Sequence, residues 1–177
     1  MQHIIFNIRP ATQEDAPQIK EVLQECFGFF DESMITQIKH GCLIAETDNK
    51  IISVGGITNS PYISEYNNAY EVLWTGTKKD YRGNHIATAI LKTAINKRQD
   101  KTKPVICTCL RLKNKKINLY SIMKRLDFTI LYENKRHDIY PYYTACNTCT
   151  NKQDEHCECF EDVYIYYPEK QERKTNE

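Results

Sequence analysis

The sequence predicts an α/β fold, in which a mixed, mostly antiparallel central sheet is flanked by helices in a single domain. Apolar runs typical of strands alternate with amphipathic helical segments, and two neighbouring strands are joined by a hairpin turn. No internal repeat or linker divides the 177 residues, which are enough for one domain with a proper core. We expect this domain to span residues 1–167, with a Cys-rich insert at about 140–160 and a disordered tail at 168–177.

The composition excludes several classes of function. A net charge of +1 gives no global basic field of the kind that marks nucleic-acid binders, and no apolar run reaches the length needed to span a membrane. The opening residues "MQHIIFNIRP" lack the long apolar core of a signal peptide. We therefore expect a cytoplasmic protein with reduced thiols, and eight cysteines then need an explanation.

The first elements are a strand and a helix. The β-type run "HIIFNIR" ends at Pro10. A helix is predicted over "QEDAPQIKEVLQECFG", because Asp15 is a good N-cap, Pro17 suits the first turn and Gly28 ends it. Its apolar stripe consists of Ile19, Val22, Leu23 and Cys26.

The next elements are a short helix, a hairpin and a further strand. "DESMITQIKH" is a second helix that Asp31 would cap. The strands "CLIAE" and "IISVGGI" flank "TDNK", a hairpin signal. The polar segment 58–68 is predicted to be a loop, and "AYEVLWTGT" is predicted to be one continuous strand.

The remaining elements alternate in the same way. A helix is expected from about Asn84 to Arg98, followed by the buried strand "PVICTCL" and the helix "KKINLYSIMKRL". "FTILYE" and "DVYIYY" are the last predicted strands. The order of these elements indicates a mixed sheet with helices packed on it.

The stretch "KKDYRGNHIATAIL" carries the clearest functional signal. Two lysines and Arg82 lead into Gly83, and an amphipathic helix follows at once. The first turn of a helix has backbone amides without intrahelical partners, and the helix dipole adds partial positive charge there. The stretch therefore predicts a phosphate-binding turn, with Lys79 and Arg82 adding full charges; the alternative is a surface turn that leads into an ordinary core helix.

Together these residues resemble the GNAT acetyltransferase superfamily. The order of elements is that of the family, and "IRPATQEDAPQI" resembles its usual first strand and helix start. In its acetyl-coenzyme A motif, Arg/Gln-x-x-Gly-x-Gly/Ala, Arg82 and Ala87 match the outer positions, whereas His85 replaces the inner glycine. "MKRLDF" is similar to the family's closing Tyr-x-Lys-x-Gly-Phe, with Met123 in place of tyrosine and Asp127 in place of glycine. The likeness covers residues 1–134 and the last strand.

The resemblance implies that acetyl-CoA is the co-substrate, with its pyrophosphate at this turn. A β-carbon at His85 costs little if the residue is already helical and its side chain points outward, so His85 need not abolish binding. The expected cofactor-binding residues are Gly76, Thr77, Lys79, Arg82, Gly83, Asn84, His85, Ile86, Ala87 and Thr88. Gly76 and Thr77 are included because the family binds the reaction's oxyanion with backbone amides of the fourth strand.

The family transfers an acetyl group from a thioester to an amine, which a base must first deprotonate. Glu71 is the only acid in "AYEVLWTGT" and is the first candidate, with a solvated edge residue as the alternative. Glu46 is the second candidate. The leaving thiolate is often protonated by a tyrosine where this chain has Met123, and Tyr120 lies one turn earlier. Tyr120 is equally well explained as a core aromatic.

The cysteines divide into two groups. Cys26, Cys42, Cys107 and Cys109 lie in apolar settings and are predicted to be buried small hydrophobes. Cys146, Cys149, Cys157 and Cys159 lie in a polar loop, in a C-x2-C and C-x-C arrangement that fits a structural zinc, with His156 as a replacement for Cys157. Disulfides and free thiols are the alternatives.

A second class of function remains open at the level of sequence. A non-catalytic module stapled by zinc would use the Cys-rich loop to recognise a partner. The acetyltransferase hypothesis instead predicts a small-molecule or protein amine as the acceptor, with no nucleic-acid or membrane partner. The sequence does not identify the acceptor, and it leaves open whether the chain forms a homodimer.

Overall fold

A computed structural model describes residues 4–28, 41–59, 68–112, 119–136, 152–153, 156–157 and 159–168. The chain forms two compact units, residues 1–105 and 106–177. The predicted second helix at 31–40 and the tail beyond residue 168 lie outside the described residues. The single-domain boundaries expected from the sequence stay a prediction.

In the part of the first unit that the structure describes, the chain forms five strands and two helices. They are β1 (Asn7–Pro10), α1 (Ala16–Phe27), β2 (Cys42–Thr47), β3 (Lys50–Asn59), β4 (Tyr70–Val72), β5 (Gly76–Thr77) and α2 (Ile86–Lys97). Single turns of 3-10 helix, Gln13–Asp15 and Lys79–Tyr81, precede the two helices. The strands pair antiparallel in the order β1–β2–β3–β4, and β5 pairs with β3.

The predicted hairpin is confirmed as β2 and β3. Asp48 and Asn49 at its tip have φ of 48° and 60°, the left-handed pair that suits a two-residue turn between twisted strands. The end of α1 is also as predicted, because Gly28 closes it with φ of 74° and its amide bonds to the Gln24 carbonyl.

The two helices of this unit pack on opposite faces of β3. Val54 lies in a cluster with Ile19, Val22 and Leu23 of α1. Its neighbour Gly55 faces α2, because a β-carbon there would lie 3.3 Å from Cγ2 of Ile90. Successive residues of a strand point to opposite faces, so the sheet has apolar helix contacts on both sides.

Several predicted boundaries are wrong, each for a tertiary reason. The predicted strand 69–77 is divided into β4 and β5, because Leu73, Trp74 and Thr75 oppose only Gly55 and Gly56 of β3. Helix α2 begins at Ile86 instead of Asn84. Asp15 does not cap α1 with its side chain; its carboxylate instead accepts hydrogen bonds from Arg9 and Thr12.

The described residues of the second unit form strands and one short helix. They are β6 (Val105–Leu112), α3 (Tyr120–Arg125), β7 (Thr129–Arg136), β8 (Lys152–Gln153), β9 (His156–Cys157) and β10 (Cys159–Tyr166). Strand β10 lies between β6 and β7 and pairs antiparallel with β7, and β8 and β9 form a two-stranded hairpin. The prediction that Cys157 and Cys159 lie in a loop is therefore wrong, because backbone pairing extends to β9 and the start of β10.

Candidate functional site

The site is the connection between β5 and α2, residues 78–85, which we call the basic turn. It starts with the 3-10 turn Lys79–Tyr81, continues with an extended Arg82, and reverses at Gly83, whose φ is 82°. The side-chain amide of Asn84 donates to the carbonyls of Tyr81 (3.1 Å) and Arg82 (3.3 Å). The turn is therefore shaped by its own polar side chain.

The turn presents backbone amides at the start of α2. The amide of Ala89 is bonded to the His85 carbonyl at 3.0 Å, which is the first α-helical bond. The amides of Ile86, Ala87 and Thr88 precede it and have no acceptor within the helix. No atom lies within 4 Å of the position that a β-carbon would take at the exposed Gly83, so a ligand can approach the backbone there. Such a geometry suits a phosphate.

The side chain of His85 is exposed, but the prediction that this residue is already helical is wrong. It is the N-cap of α2, with φ of 59° and ψ of 17°, and so is left-handed rather than helical. Glycine adopts this conformation without steric cost, whereas a β-carbon costs roughly 1–2 kcal/mol. This position is the inner glycine of the motif, and the backbone keeps the glycine conformation although the residue is histidine.

The Arg82 side chain is exposed, but its guanidinium also contacts two neighbouring groups of the protein. Its Nε donates to the Thr77 carbonyl at 2.9 Å, and its guanidinium also contacts Sγ of Cys26 at 3.9 Å. Cys26 donates to the same carbonyl at 3.3 Å. Burial raises the pKa of the Cys26 thiol, so it remains a protonated donor at neutral pH. Cys26 is therefore half-buried and bonded to the turn, rather than a purely apolar residue as predicted.

The interruption between β4 and β5 is a β-bulge, in which three residues oppose two. Beyond it, the amide of Lys78 donates to the Ile52 carbonyl at 2.9 Å. Hydrogen-bonded pairs alternate along an antiparallel ladder, so Gly76 bonds to Val54 and the amide of Thr77 points away from β3. Of the two predicted oxyanion donors, the geometry therefore favours Thr77.

Sequence reasoning missed Ser53. Its side chain is fully buried, and its hydroxyl donates to the Gly76 carbonyl at 2.8 Å and lies 2.8 Å from the Thr77 hydroxyl. A serine within the apolar run "IISVGGI" was the available signal, because a buried hydroxyl needs a partner. Glu25 was missed as well, and its carboxylate accepts a hydrogen bond from the Lys79 amide at 2.6 Å.

The two candidate bases lie in different environments. Glu71 is on β4, half-buried and opposite Thr58 of β3. Glu46, on β2, is held by Arg9 through bonds of 3.1 and 2.9 Å. Arg9 also bonds to Asp15 at 2.7 and 2.9 Å and holds the pKa of that carboxyl well below its usual range. Glu46 therefore belongs to a structural ion cluster, which leaves Glu71 as the candidate base.

The candidate acid is in the second unit. Tyr120, the first residue of α3, is 57% exposed, so it is not a core aromatic. Met123 is fully buried. Asp127, which follows α3 and replaces the second family glycine, has φ of 58° and so repeats the pattern of His85.

The predicted zinc ligands lie mostly outside the described residues. Cys146 and Cys149 are not among them, and of Cys157 and Cys159 only the backbone is described. Within the described part of the chain, no group of three His, Cys, Asp or Glu side chains is arranged to hold a metal ion. The four buried-cysteine predictions are confirmed for Cys42, Cys107 and Cys109.

The sequence matches the model of a family described as the acetyltransferase (GNAT) family over residues 9–123. No curated protein sequence matches this chain. None of the helices in the described residues is long and apolar enough to cross a membrane.

Solved structures share the fold at low sequence identity. A diaminobutyrate acetyltransferase from Paenibacillus lautus, in complex with L-2,4-diaminobutyric acid and coenzyme A, is 15% identical, with a TM-score of 0.65 over 93% of this chain and 95% of that chain. The ribosomal-protein-S18-alanine N-acetyltransferase from Escherichia coli is 13% identical, with a TM-score of 0.62 over 91% of each chain.

A third structure is a putative acetyltransferase from Salmonella typhimurium with its cofactor acetyl-CoA. It is 11% identical, with a TM-score of 0.65 over 93% of this chain and 95% of that chain. These likenesses confirm the predicted fold class, a mixed and mostly antiparallel sheet with flanking helices.

Proposed function

Because the chain belongs to the GNAT acetyltransferase family, we propose that it transfers the acetyl group of acetyl-CoA directly to a primary amine of a small molecule or a protein. The observation that carries this proposal is the basic turn. It combines exposed Lys79 and Arg82 with the partnerless first amides of α2 and an open approach at Gly83. These are the features that bind a pyrophosphate.

In this proposal the amides from Gly83 to Thr88 bind the pyrophosphate, and Lys79 and Arg82 add positive charge. The left-handed His85 supports the assignment, because it lets the chain pass from the turn into α2 as a glycine would. The backbone supplies the anion site, so the motif can tolerate a side chain at this position.

The acetyl group reacts near the bulge. An alkyl ammonium must lose a proton before its nitrogen attacks the thioester carbonyl, and Glu71 is the proposed base, directly or through water. The tetrahedral intermediate carries an oxyanion, to which the outward-pointing amide of Thr77 is oriented to donate a hydrogen bond. The attacking nitrogen releases its second proton to solvent, the carbonyl re-forms as the carbon–sulfur bond breaks, and the thiolate of CoA leaves readily because thiols have a pKa near ~8.5. Tyr120 stays the proposed proton donor to that thiolate.

For the acceptor, the comparisons support the class of amines and no particular amine. The similar structures include one that acts on diaminobutyrate and one that acts on a ribosomal-protein alanine, so both small and protein amines are represented among them. A panel of both kinds, assayed by release of free thiol from acetyl-CoA, tests the proposal. Thiol release that depends on an added amine is expected. If calorimetry detected no binding of acetyl-CoA, this result would contradict the proposed function.

Zinc at Cys146, Cys149, Cys157 and Cys159 stays a proposal that rests on spacing. A metal there would cross-link the Cys-rich insert. The homodimer stays a separate proposal. Metal analysis of protein purified without chelator should give about one zinc per chain. Absence of metal, with all eight thiols titratable in the native state, would contradict it. The alternative of a purely non-catalytic zinc module loses support from the family membership.

A further inference from the structure

The basic turn and the residue before it, Thr77, contact the last two turns of α1 at several points. The Lys79 amide donates to Oε1 of Glu25 at 2.6 Å, and Nζ of Lys78 lies 3.5 Å from Oε2 of Glu21. Cys26 bonds to the Thr77 carbonyl. The C-terminal end of α1 therefore contacts the chain on both sides of Lys78.

The contact at Lys79 satisfies a backbone group that the turn itself cannot. Lys79 begins a 3-10 turn whose N-cap residue, Lys78, makes no side-chain capping bond. A lysine side chain has no acceptor to offer. Glu25 is 54 residues away in the chain, and its carboxylate supplies the missing acceptor through a short, charge-assisted bond.

Close packing of the next two residues of α1 holds the backbone at Glu25, whose own side chain is exposed. A β-carbon at Gly76 would lie 2.7 Å from Sγ and 3.0 Å from Cβ of Cys26. Phe27 packs edge-on against Trp74, with ring centroids 5.1 Å apart. The helix end and strand β5 are thus in direct contact, so a carboxylate at position 25 is held where the turn begins.

The negative charge of Glu25 argues against a direct role of this residue in phosphate binding. A carboxylate near the basic turn repels an anion. Glu25 is useful there only if fixing the backbone outweighs that repulsion. Lys79 lies two residues after Thr77 and three before Arg82, so its amide is a fixed point between the proposed oxyanion donor and the proposed phosphate site.

We infer that Glu25 is a positioning residue, which caps the basic turn from α1 and so presets it for acetyl-CoA. This inference rests on the proposed function. It assigns Glu25 no contact with acetyl-CoA and no part in the chemistry. Its effect is expected on acetyl-CoA affinity, because the open turn must otherwise be ordered when the ligand binds.

Three variants separate capping from charge. Glu25→Ala removes the acceptor and the charge, whereas Glu25→Gln keeps an acceptor oxygen and removes only the charge. Glu21→Ala is the matched control, because it removes the same charge one turn earlier on α1 and breaks only a side-chain ion pair at an exposed carboxylate. Thermal unfolding verifies that each variant folds.

We expect Glu25→Ala to bind acetyl-CoA about fivefold more weakly, as loss of a cap does. The KM for acetyl-CoA should rise with a much smaller change in kcat. Glu25→Gln should recover most of the affinity, and Glu21→Ala should bind within about twofold of wild type. Without acetyl-CoA, hydrogen exchange at the Lys79 amide should be faster in Glu25→Ala alone.

The outcomes distinguish the two levels of the hypothesis. Equal affinity and equal exchange in Glu25→Ala and Glu21→Ala would overturn the inference and leave the proposed function intact. Glu25→Gln as weak as Glu25→Ala would overturn it also, because the acceptor would then not be what matters. Wild-type protein that does not bind acetyl-CoA would overturn the proposed function and, with it, this role for Glu25.

Discussion

The two ends of helix α1 are both tied to other parts of the first unit, but by different chemistry. At the N-terminal end, Arg9 joins Asp15 and Glu46 in a cluster of side-chain ion pairs of 2.7 and 2.9 Å. At the C-terminal end, Glu25 and Cys26 bond to backbone atoms of Lys79 and Thr77.

The difference separates a contact among charged side chains from one that we propose serves acetyl-CoA binding. In the N-terminal cluster one guanidinium is shared by two carboxylates, so no cationic side chain is left to bind an anionic ligand. At the C-terminal end, side chains of α1 bind the backbone of the basic turn, and the side chains of Lys79 and Arg82 are exposed. A turn held by its backbone keeps its cationic side chains available for an anion.

The largest effect should distinguish the two candidate bases, of which Glu46 belongs to the N-terminal cluster and Glu71 lies outside it, on β4. Glu71→Gln is expected to lower turnover by about 100-fold with acetyl-CoA affinity preserved, as for loss of a general base. Glu46→Gln should lower stability through loss of the Arg9 contact and leave most of the turnover. Steady-state kinetics and calorimetry measure both. Wild-type turnover in Glu71→Gln would show that Glu71 is structural.

The next effect concerns the cationic side chain of the basic turn. Arg82→Ala should weaken acetyl-CoA binding by about 2 kcal/mol, roughly 30-fold, because it removes a charge-assisted contact and the bond to the Thr77 carbonyl. Lys97→Ala removes the same charge at the far end of α2, about 18 Å away, and is the control. Similar affinities of the two variants would place the phosphates elsewhere.

A stability effect should be confined to the N-terminal cluster. Asp15→Asn is expected to lower the free energy of unfolding by about 2 kcal/mol at neutral pH, with acetyl-CoA affinity unchanged. Arg9 depresses the pKa of Asp15 in the folded state, so this stabilisation is present above the unfolded pKa of about 3.9. It is lost as pH falls from there through the folded-state pKa.

Urea unfolding of Asp15→Asn and wild type at about pH 7 and about pH 2 measures this difference, which should shrink at the lower pH. Glu14→Gln, an exposed change one residue earlier, is the control. A difference independent of pH would mean that packing, not the ion cluster, explains the loss.

The smallest effect tests the left-handed residue beside the basic turn. His85→Gly should raise the free energy of unfolding by about 1 kcal/mol, because it removes a β-carbon from a backbone with positive φ. His85→Ala keeps the β-carbon and should give no such gain. Thermal unfolding compares them. A less stable glycine variant would show that the imidazole contributes more than the strain costs.

Much of the first unit follows from sequence. The hairpin of β2 and β3, the extent of α1 up to Gly28 and the turn before α2 were all predicted, because each depends on turn residues, caps and periodicity within a short window. The motif around Arg82 also indicates the family from sequence alone. The bulge between β4 and β5 was not predictable, since "AYEVLWTGT" has no glycine or proline at the interruption.

The sequence by itself determined the order of elements, the apolar faces of the helices and the location of the basic turn. These are local properties, set by residue type and spacing. Tertiary structure alone decided that Glu46 is held by Arg9 from 37 residues away and that Glu25 caps Lys79. It also fixed the left-handed backbone at His85, where a local preference for helix gives way to the path between β5 and α2. A partner distant in sequence is set by how helices and strands pack, and no local pattern encodes it.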